Sequence, residues 1–300
     1  VANINIKQLE AFVQVADQSS FRRAASSLNT TQPNISARIS TLERRLGQKL
    51  MERDAGSVRL TPVGVELLKK ARGVIVALED FMVAAEAPGL FEGALRLGVT
   101  EMIVHSWLGE YLAALRERFP NVAADLTVDL SSNLSEALFS HSIDLALQSG
   151  PFNRQTSGSV DLGSYPLVWV ASPNLGVGQR VLTLKTLARY SILTHARQTR
   201  PYQQLEKHVA EQRDAAARLV PSTNLSACLR MTLEGLGVAC LPKAMVKEEV
   251  ESGALVLLRY LWVPDDLSFK ARFHTDKAPY HVRQAAELAG EISRKGVRSL

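Results

Sequence analysis

Residues 20–46, SFRRAASSLNTTQPNISARISTLERRL, constrain the chain more than any other stretch. Two short helical patterns lie there on either side of a polar break. Phe21, Ala24, Ala25 and Leu28 recur at i, i+3, i+4 and i+7, one apolar face of a helix. Asn29, Thr30 and Thr31 interrupt the pattern, and Thr31 is expected to cap the next helix by accepting an orphan backbone N–H. Pro33 falls in the first turn of that helix, where its missing N–H is no loss. The second helix is expected to bury Ile35, Ile39, Leu42 and Leu46 in a narrow stripe. Pro33, Ala37, Ser40 and Arg44 then face outward, with Asn34, Ser36 and Thr41 on the flanks. A small, polar, lightly basic helix face suits the DNA major groove. Residues 20–61 carry eight Lys/Arg against three acids, an excess that favours phosphates. Spacing alone leaves an ordinary helical hairpin with a solvated face as the alternative.

Phe21, Ala24-Ala25, Leu28, Thr31-Gln32-Pro33, Ser36, Ile39, Leu42-Glu43, Leu46-Gly47, Leu50, Arg53 and the run Leu60-Thr61-Pro62-x-Gly64 stand together at fixed offsets. In this the segment resembles the winged helix-turn-helix of LysR-type transcriptional regulators. Met51, where the family usually has Phe, is a volume-conserving departure. The resemblance implies double-stranded DNA as partner. Gln32 is the first candidate for base contact, since a carboxamide can bond adenine bidentately. Thr31, Pro33, Asn34, Ser36, Ala37 and Ser40 flank it, and Arg22, Arg38, Arg44, Arg53 and Arg59 are candidates for phosphate contact. Arg53 and Arg59 match the family's wing, on either side of the turn Asp54-Ala55-Gly56-Ser57.

A chain of 300 residues, 46% of them hydrophobic, can bury a sizeable core and suggests two or more domains. The net charge of +5 is modest, so a local basic patch matters more than the total. No run approaches about 18 apolar residues and no signal-peptide pattern opens the chain, so a soluble cytoplasmic protein without a membrane partner is expected. Two cysteines, Cys228 and Cys240, are too few for a disulfide framework.

In chain order, Leu9, Phe12, Val13 and Ala16 mark a first helix over residues 4–18. A long helix is expected over 62–87, ended by Pro88-Gly89. Val63, Leu67, Ala71, Val74, Leu78, Phe81 and Ala85 form an approximate heptad seam along it, the pattern of a helix that pairs with another helix. Packing against its own domain is the alternative. The resemblance implies a linker helix that pairs two chains, a homodimer that assembles into a homotetramer, and RNA polymerase as a further partner.

Beyond residue 90 strands and helices alternate: strands over 94–99, 124–130, 143–147 and 166–171, then 190–193, 218–221, 238–241 and 269–273. Helices fall around Trp107 to Phe119, over 133–139, 202–211 and 224–236, and over 280–292. The βαβαβ order predicts a parallel sheet covered on both faces. The expected fold is therefore α/β with an N-terminal all-α winged helix-turn-helix at 4–61 and a linker helix at 62–89. A two-lobed effector domain at 90–300, similar to periplasmic binding proteins, completes it. Lobe I takes in about 92–165 and 266–300, and lobe II about 166–265.

Ligands in open α/β sheets sit beyond the C-terminal strand ends, where helix N-termini favour anions. Strand ends offer Thr100-Glu101, Ser131-Ser132, Gln148-Ser149 and Thr194-His195, with Asn224 capping a helix of the second lobe. They converge only if the lobes face each other as the resemblance implies. Arg197 and Arg200 are candidate counter-ions for a carboxylate-bearing co-inducer, and no other cofactor is expected. Glu101 and His105, four apart, suit a hydrogen-bonded pair at the pocket mouth. Scattered histidines, without H-E-x-x-H, P-loop or G-x-S-x-G, predict neither a metal site nor catalytic residues. Some members of the family sense oxidants through a cysteine pair, but Cys228 on a helix and Cys240 in an apolar strand are expected to be buried. The expected function is a DNA-binding regulator responsive to a small molecule. Its rivals are a small-molecule-binding protein with N-terminal interaction helices and an α/β enzyme.

Overall fold

The computed structural model describes residues 4–54, 57–84, 93–177, 181–212, 217–274 and 280–298. Helix α1 (Ile6–Gln18) opens on Asn5, whose Oδ1 accepts from Lys7 N at 2.8 Å while its own N–H donates to Gln8 Oε1 at 3.1 Å. Helices α2 (Phe21–Ser27) and α3 (Gln32–Leu46) follow on either side of the polar break, and α3 stops at Gly47. Phe12, Val15, Phe21, Ala24, Ile35, Ile39 and Leu42 share one core. Thr31 stands at the N-cap of α3, yet its hydroxyl makes no capping bond. Pro33 at the second helical position removes one of the two donors that a capping hydroxyl takes.

Strand β1 (Met51–Asp54) pairs antiparallel with β2 (Ser57–Leu60), placing Glu52 opposite Arg59 and Arg53 opposite Val58. Residues 55 and 56 of the expected turn lie outside the described residues. Glu43 accepts from Leu50 N at 2.8 Å and Met51 N at 3.2 Å, which fastens this hairpin to α3. Thr61 Oγ1 accepts from Gly64 N at 2.9 Å and donates to Lys49 O at 2.7 Å. A Cβ on Gly64 would lie 2.1 Å from the Leu50 carbonyl oxygen, so the Thr61-Pro62-x-Gly64 run has a steric cause.

Helix α4 (Pro62–Ala84) does not present the whole expected seam to solvent. Leu67 and Ala71 pack with Leu68 and Ile75 against the core of α1–α3, whereas Val63, Val74 and Phe81 face outward, Phe81 at 70% exposure. The seam is divided because the helix rests on its own domain for its first half. Ala85 and the Pro88-Gly89 stop lie outside the described residues.

The chain continues through β3 (Gly93–Val99), α5 (Glu101–Val104), α6 (Leu108–Arg118), β4 (Val122–Val128), α7 (Ser131–Phe139), β5 (Leu145–Ser149), β6 (Gly158–Tyr165) and β7 (Leu167–Ala171). Next come α8 (Leu184–Leu187), β8 (Ser191–Thr194), α9 (Arg200–Glu211), β9 (Arg218–Pro221), α10 (Leu225–Leu233), β10 (Val238–Pro242) and α11 (Lys247–Glu251). Strands β11 (Val256–Leu257) and β12 (Leu267–Phe273) and helix α12 (Tyr280–Arg298) close the chain.

Two five-stranded sheets result, ordered β4-β3-β5-β12-β6 and β11-β7-β10-β8-β9. Only β4, β3 and β5 in one, and β10, β8 and β9 in the other, run parallel, in place of the wholly parallel sheet expected. Strand β12 enters the first sheet from the second lobe and is antiparallel to both β5 and β6. Strand β7, antiparallel to β10, carries the chain the other way. Two crossings between lobes require such strands. Pairing of Val99 with Val128 and of Leu97 with Leu145 sets β4 two residues earlier, and β5 two residues later, than their sequence spans. As a result Ser131 and Ser132 begin α7, and Gln148 and Ser149 end β5. Among the described residues no helix is long and apolar enough to cross a membrane.

Candidate nucleic-acid interface and effector cleft

Helix α3 presents Thr31, Gln32, Pro33, Asn34, Ala37, Ser40 and Arg44 as exposed residues, with Ser36 and Arg38 half-buried. Arg38 lies close enough to Glu10 of α1 to oppose the rise in that carboxyl's pKa, whose main cause is burial. Part of its charge thus acts inside the domain. The Asn34 amide donates to Thr30 Oγ1 at 3.2 Å, which steadies the turn before α3. Arg22 on α2 and Arg59 on β2 are exposed on either side of α3 in sequence, and the Arg53 side chain lies outside the described residues. This is an exposed polar helix between two arginine-bearing flanks, able to bond base edges with Gln32 and phosphates with arginines.

Between the two sheets lies a cleft of about 740 Å³. Thr100, Glu101, Ser131, Ser132, Gln148, Ser149, His195 and Asn224 all line it, from strand ends that are more than 100 residues apart in sequence at the extremes. Thr194 does not: it is fully buried behind His195, because the strand alternation that turns His195 inward to the cleft turns Thr194 into the lobe. Arg197 is also outside the lining; its guanidinium donates to Tyr202 OH at 2.8 Å. Arg200 lines the cleft but is paired with Asp265.

Helices α5, α7, α9 and α10 all begin at the cleft, and the N-termini of α10 and α7 differ. That of α10 is occupied: Glu101, from the other lobe, accepts from Leu225 N at 2.6 Å, Ser226 N at 2.8 Å and Ser226 Oγ. Asn224 Oδ1 accepts from Ala227 N at 2.6 Å. His105 Nε2 joins Ser226 Oγ at 2.6 Å and lies 4.0 Å from Glu101, so the expected Glu101–His105 pair meets through a serine of the opposite lobe. The terminus of α7 has no side-chain cap, Leu130 standing at the capping position. Ser131 Oγ accepts from Ser149 N at 3.1 Å and holds α7 to β5.

Arg272 was not among the sequence candidates, although a charged residue in the run Phe269-Lys-Ala-Arg-Phe273, central to a sheet covered on both faces, is the signal that marks it. It is 2% exposed and donates to Arg154 O, with Ser135 Oγ at 3.5 Å. With its amide oriented to suit both neighbours, Gln148 donates to Ser131 O at 3.1 Å and accepts from Arg272 Nη1. The guanidinium stands 4.8 Å from the Phe152 ring centroid. Among the described residues no carboxylate pairs with it, and burial pushes its pKa down. Behind the cleft wall, and outside the lining itself, therefore stands a buried cation with no acid partner among the described residues, joined to the first turn of α7 through Gln148.

Cys228 and Cys240 lie in cores on opposite faces of the second sheet, Cys228 with Val170 and Leu193, Cys240 with Trp169 and Ile192. Burial raises both thiols' pKa. A disulfide would have to pass through the sheet, and neither thiol is activated. Among the described residues no cluster of His, Cys, Asp and Glu could hold a metal ion.

An exposed DNA-suited helix with a β-hairpin wing, joined by one long helix to a two-lobed domain with a polar cleft, defines a ligand-responsive DNA-binding regulator. The sequence pattern of the bacterial regulatory helix-turn-helix protein, lysR family, matches residues 6–65, and that of the LysR substrate binding domain matches residues 88–291. The chain belongs to the LysR family of transcriptional regulators, proteins that bind DNA and small-molecule effectors. It is 26% identical over 265 residues to the RuBisCO operon transcriptional regulator of Allochromatium vinosum, covering 88% of this chain and 87% of that one. It is 29% identical over 262 residues to a probable hydrogen peroxide-inducible genes activator of Streptomyces viridosporus, covering 85% and 83%. Similar solved structures include a full-length OxyR variant from Pseudomonas aeruginosa, with TM-score 0.61, 20% identity and 97% and 95% coverage. Full-length CbnR complexed with its target DNA matches with TM-score 0.53, 20% identity and 96% and 99% coverage.

Proposed function

We propose that this regulator reads its operator with Gln32, flanked by Thr31, Pro33, Asn34, Ser36, Ala37 and Ser40. Arg22, Arg38, Arg44, Arg53 and Arg59 hold the phosphates. Two chains pair along the outward face of α4, through Val74 and Phe81, and two such dimers form the working tetramer. The winged helix-turn-helix, the linker helix and the two-lobed domain divide the work near residues 61 and 89. The effector is a small carboxylate, held in the cleft without turnover at the first turn of α7.

One observation carries the choice of effector: the buried, acid-free guanidinium of Arg272 behind Gln148. A buried charge is costly without a counter-ion, and a carboxylate at the uncapped α7 terminus supplies one in a place that the helix dipole also favours. Hydrogen peroxide, named for one relative, finds no such support: both cysteines are buried and lie across a sheet from each other. Calorimetric titration of metabolite carboxylates against their amides tests the reading. Acids should bind and amides should not, and Arg272→Met should weaken the acids by roughly tenfold or more, the worth of a charge-assisted contact. Equal binding of acid and amide would overturn it.

A further inference from the structure

We infer that Glu101 serves as a tethered ligand: its carboxylate, carried by the first lobe, occupies the first turn of α10 in the second and sets the spacing of the cleft walls before any effector binds. Each lobe has an apolar core of its own. Leu95, Leu97 and Tyr111 belong to that of the first, and Trp169, Ile192 and Cys240 to one of the second. The angle between the lobes is therefore left to the two chain crossings and to whatever bridges the cleft. That bridge is polar. Glu101 accepts from Leu225 N at 2.6 Å, from Ser226 N at 2.8 Å and from Ser226 Oγ. His105, at the C-cap of the same short helix α5, joins Ser226 Oγ at 2.6 Å through Nε2.

The bonding at α10 is what a bound anion would meet. A helix of nine residues offers free N–H groups and the positive end of its dipole at its first turn. Leu225 N and Ser226 N donate to Glu101, Ala227 N donates to Asn224 Oδ1 at 2.6 Å, and Cys228 N donates to Asn224 O at 3.4 Å. The donors of that turn are thus all engaged, so an anion drawn to α10 has to displace Glu101. An effector at α7, in contrast, meets walls already spaced. Every atom of the bridge belongs to the protein, so the bridge forms without an effector. It also opens readily: the Glu101 side chain keeps 19% of its exposure, and water can take over the bonds it gives up. An effector then shifts the population of latched chains, to the extent that it binds one arrangement of the lobes more tightly.

Distances between spin labels on Glu136→Cys, in α7, and Gln198→Cys, ahead of α9, read the spacing directly. Both positions are exposed and line the cleft from opposite lobes, while Cys228 and Cys240 are buried away from the label. Doubly labelled full chain is diluted with unlabelled chain, so that each oligomer carries a single labelled copy. With no ligand added, the parent should give one narrow distribution. Glu101→Ala should shift it to longer distances, the ratio of short to long falling roughly a hundredfold, the worth of two hydrogen bonds to a charged group. The near-isosteric Glu101→Gln should shift it in the same direction, and decides the matter should Glu101→Ala fail to fold. Asn224→Ala removes α10's own cap and nothing from the first lobe, so it should lower the melting temperature and leave the distance in place. An unchanged distance in the Glu101 variants overturns the latch and leaves Glu101 a helix cap. Equal lengthening in Asn224→Ala overturns it as well, because fraying of α10 would then account for the opening.

Discussion

At Gly64 a methyl group would have to occupy the space of the Leu50 carbonyl oxygen, 2.1 Å from its own carbon. Gly64→Ala should therefore destabilise the N-terminal domain by about 1–3 kcal/mol, seen as a lower urea midpoint at unchanged slope. On α3 the exposed side chains separate by chemistry. Gln32→Ala should remove roughly 1–3 kcal/mol of discrimination between operator and random DNA. Arg44→Ala should weaken both alike and flatten the salt dependence by about one. Fluorescence anisotropy over a salt series distinguishes the two, and equal losses on both DNAs for Gln32→Ala would reject the base contact. His195 makes a pH prediction of definite sign. Its pKa is near 4 in the fold and about 6.5 unfolded. The unfolded chain then binds the extra proton between these values, so stability is full above pH 6.5 and falls as pH drops toward 4. The loss amounts to roughly 3 kcal/mol at most. His195→Phe should flatten that part of the acid limb in denaturation measured from pH 7 to pH 4.

Among the elements, α4 carries two faces that the apolar seam could not separate. Ala71 belongs to the core beneath the helix and half-buried Leu67 packs against it, while Val74 and Phe81 look outward. Phe81→Lys together with Val74→Lys should split the dimer in sedimentation without moving the melting temperature of the monomer. Ala71→Lys should instead unfold the N-terminal domain, because it places a charge in that core. An oligomer untouched by the outward pair would assign its interface to another surface. What the sequence made legible follows the same division. Helices α1 to α4 announce themselves through local spacing such as Phe21, Ala24, Ala25 and Leu28, and the strand ends that line the cleft follow from polar residues after apolar runs. Strand β6 does not: Gly-Ser-Val-Asp-Leu-Gly-Ser-Tyr scarcely alternates, and it exists because β12 pairs with it from about 100 residues away. Thr194 and Arg272 were misjudged or missed for a related reason. Which face of a strand meets a cleft is decided by the second lobe, and that partner is remote in the chain.

Across the whole molecule, the lobes are tied by Glu101, which reaches from α5 to the first turn of α10. A ligand lying between the same walls can favour one arrangement of the lobes only to the extent that it binds that arrangement more tightly. A preference of about 100-fold corresponds to roughly 2.7 kcal/mol, enough to shift how two linker helices space their DNA-reading domains. The most direct measurement is a protection footprint on the operator with and without a saturating carboxylate effector, for wild type and for Arg272→Met. Ligand should change the extent or spacing of the protected half-sites in wild type, while Arg272→Met, at the same ligand concentration, should keep the ligand-free pattern. A footprint that ligand leaves unchanged in wild type, or changes equally in the variant, would contradict an anion-operated switch in this cleft.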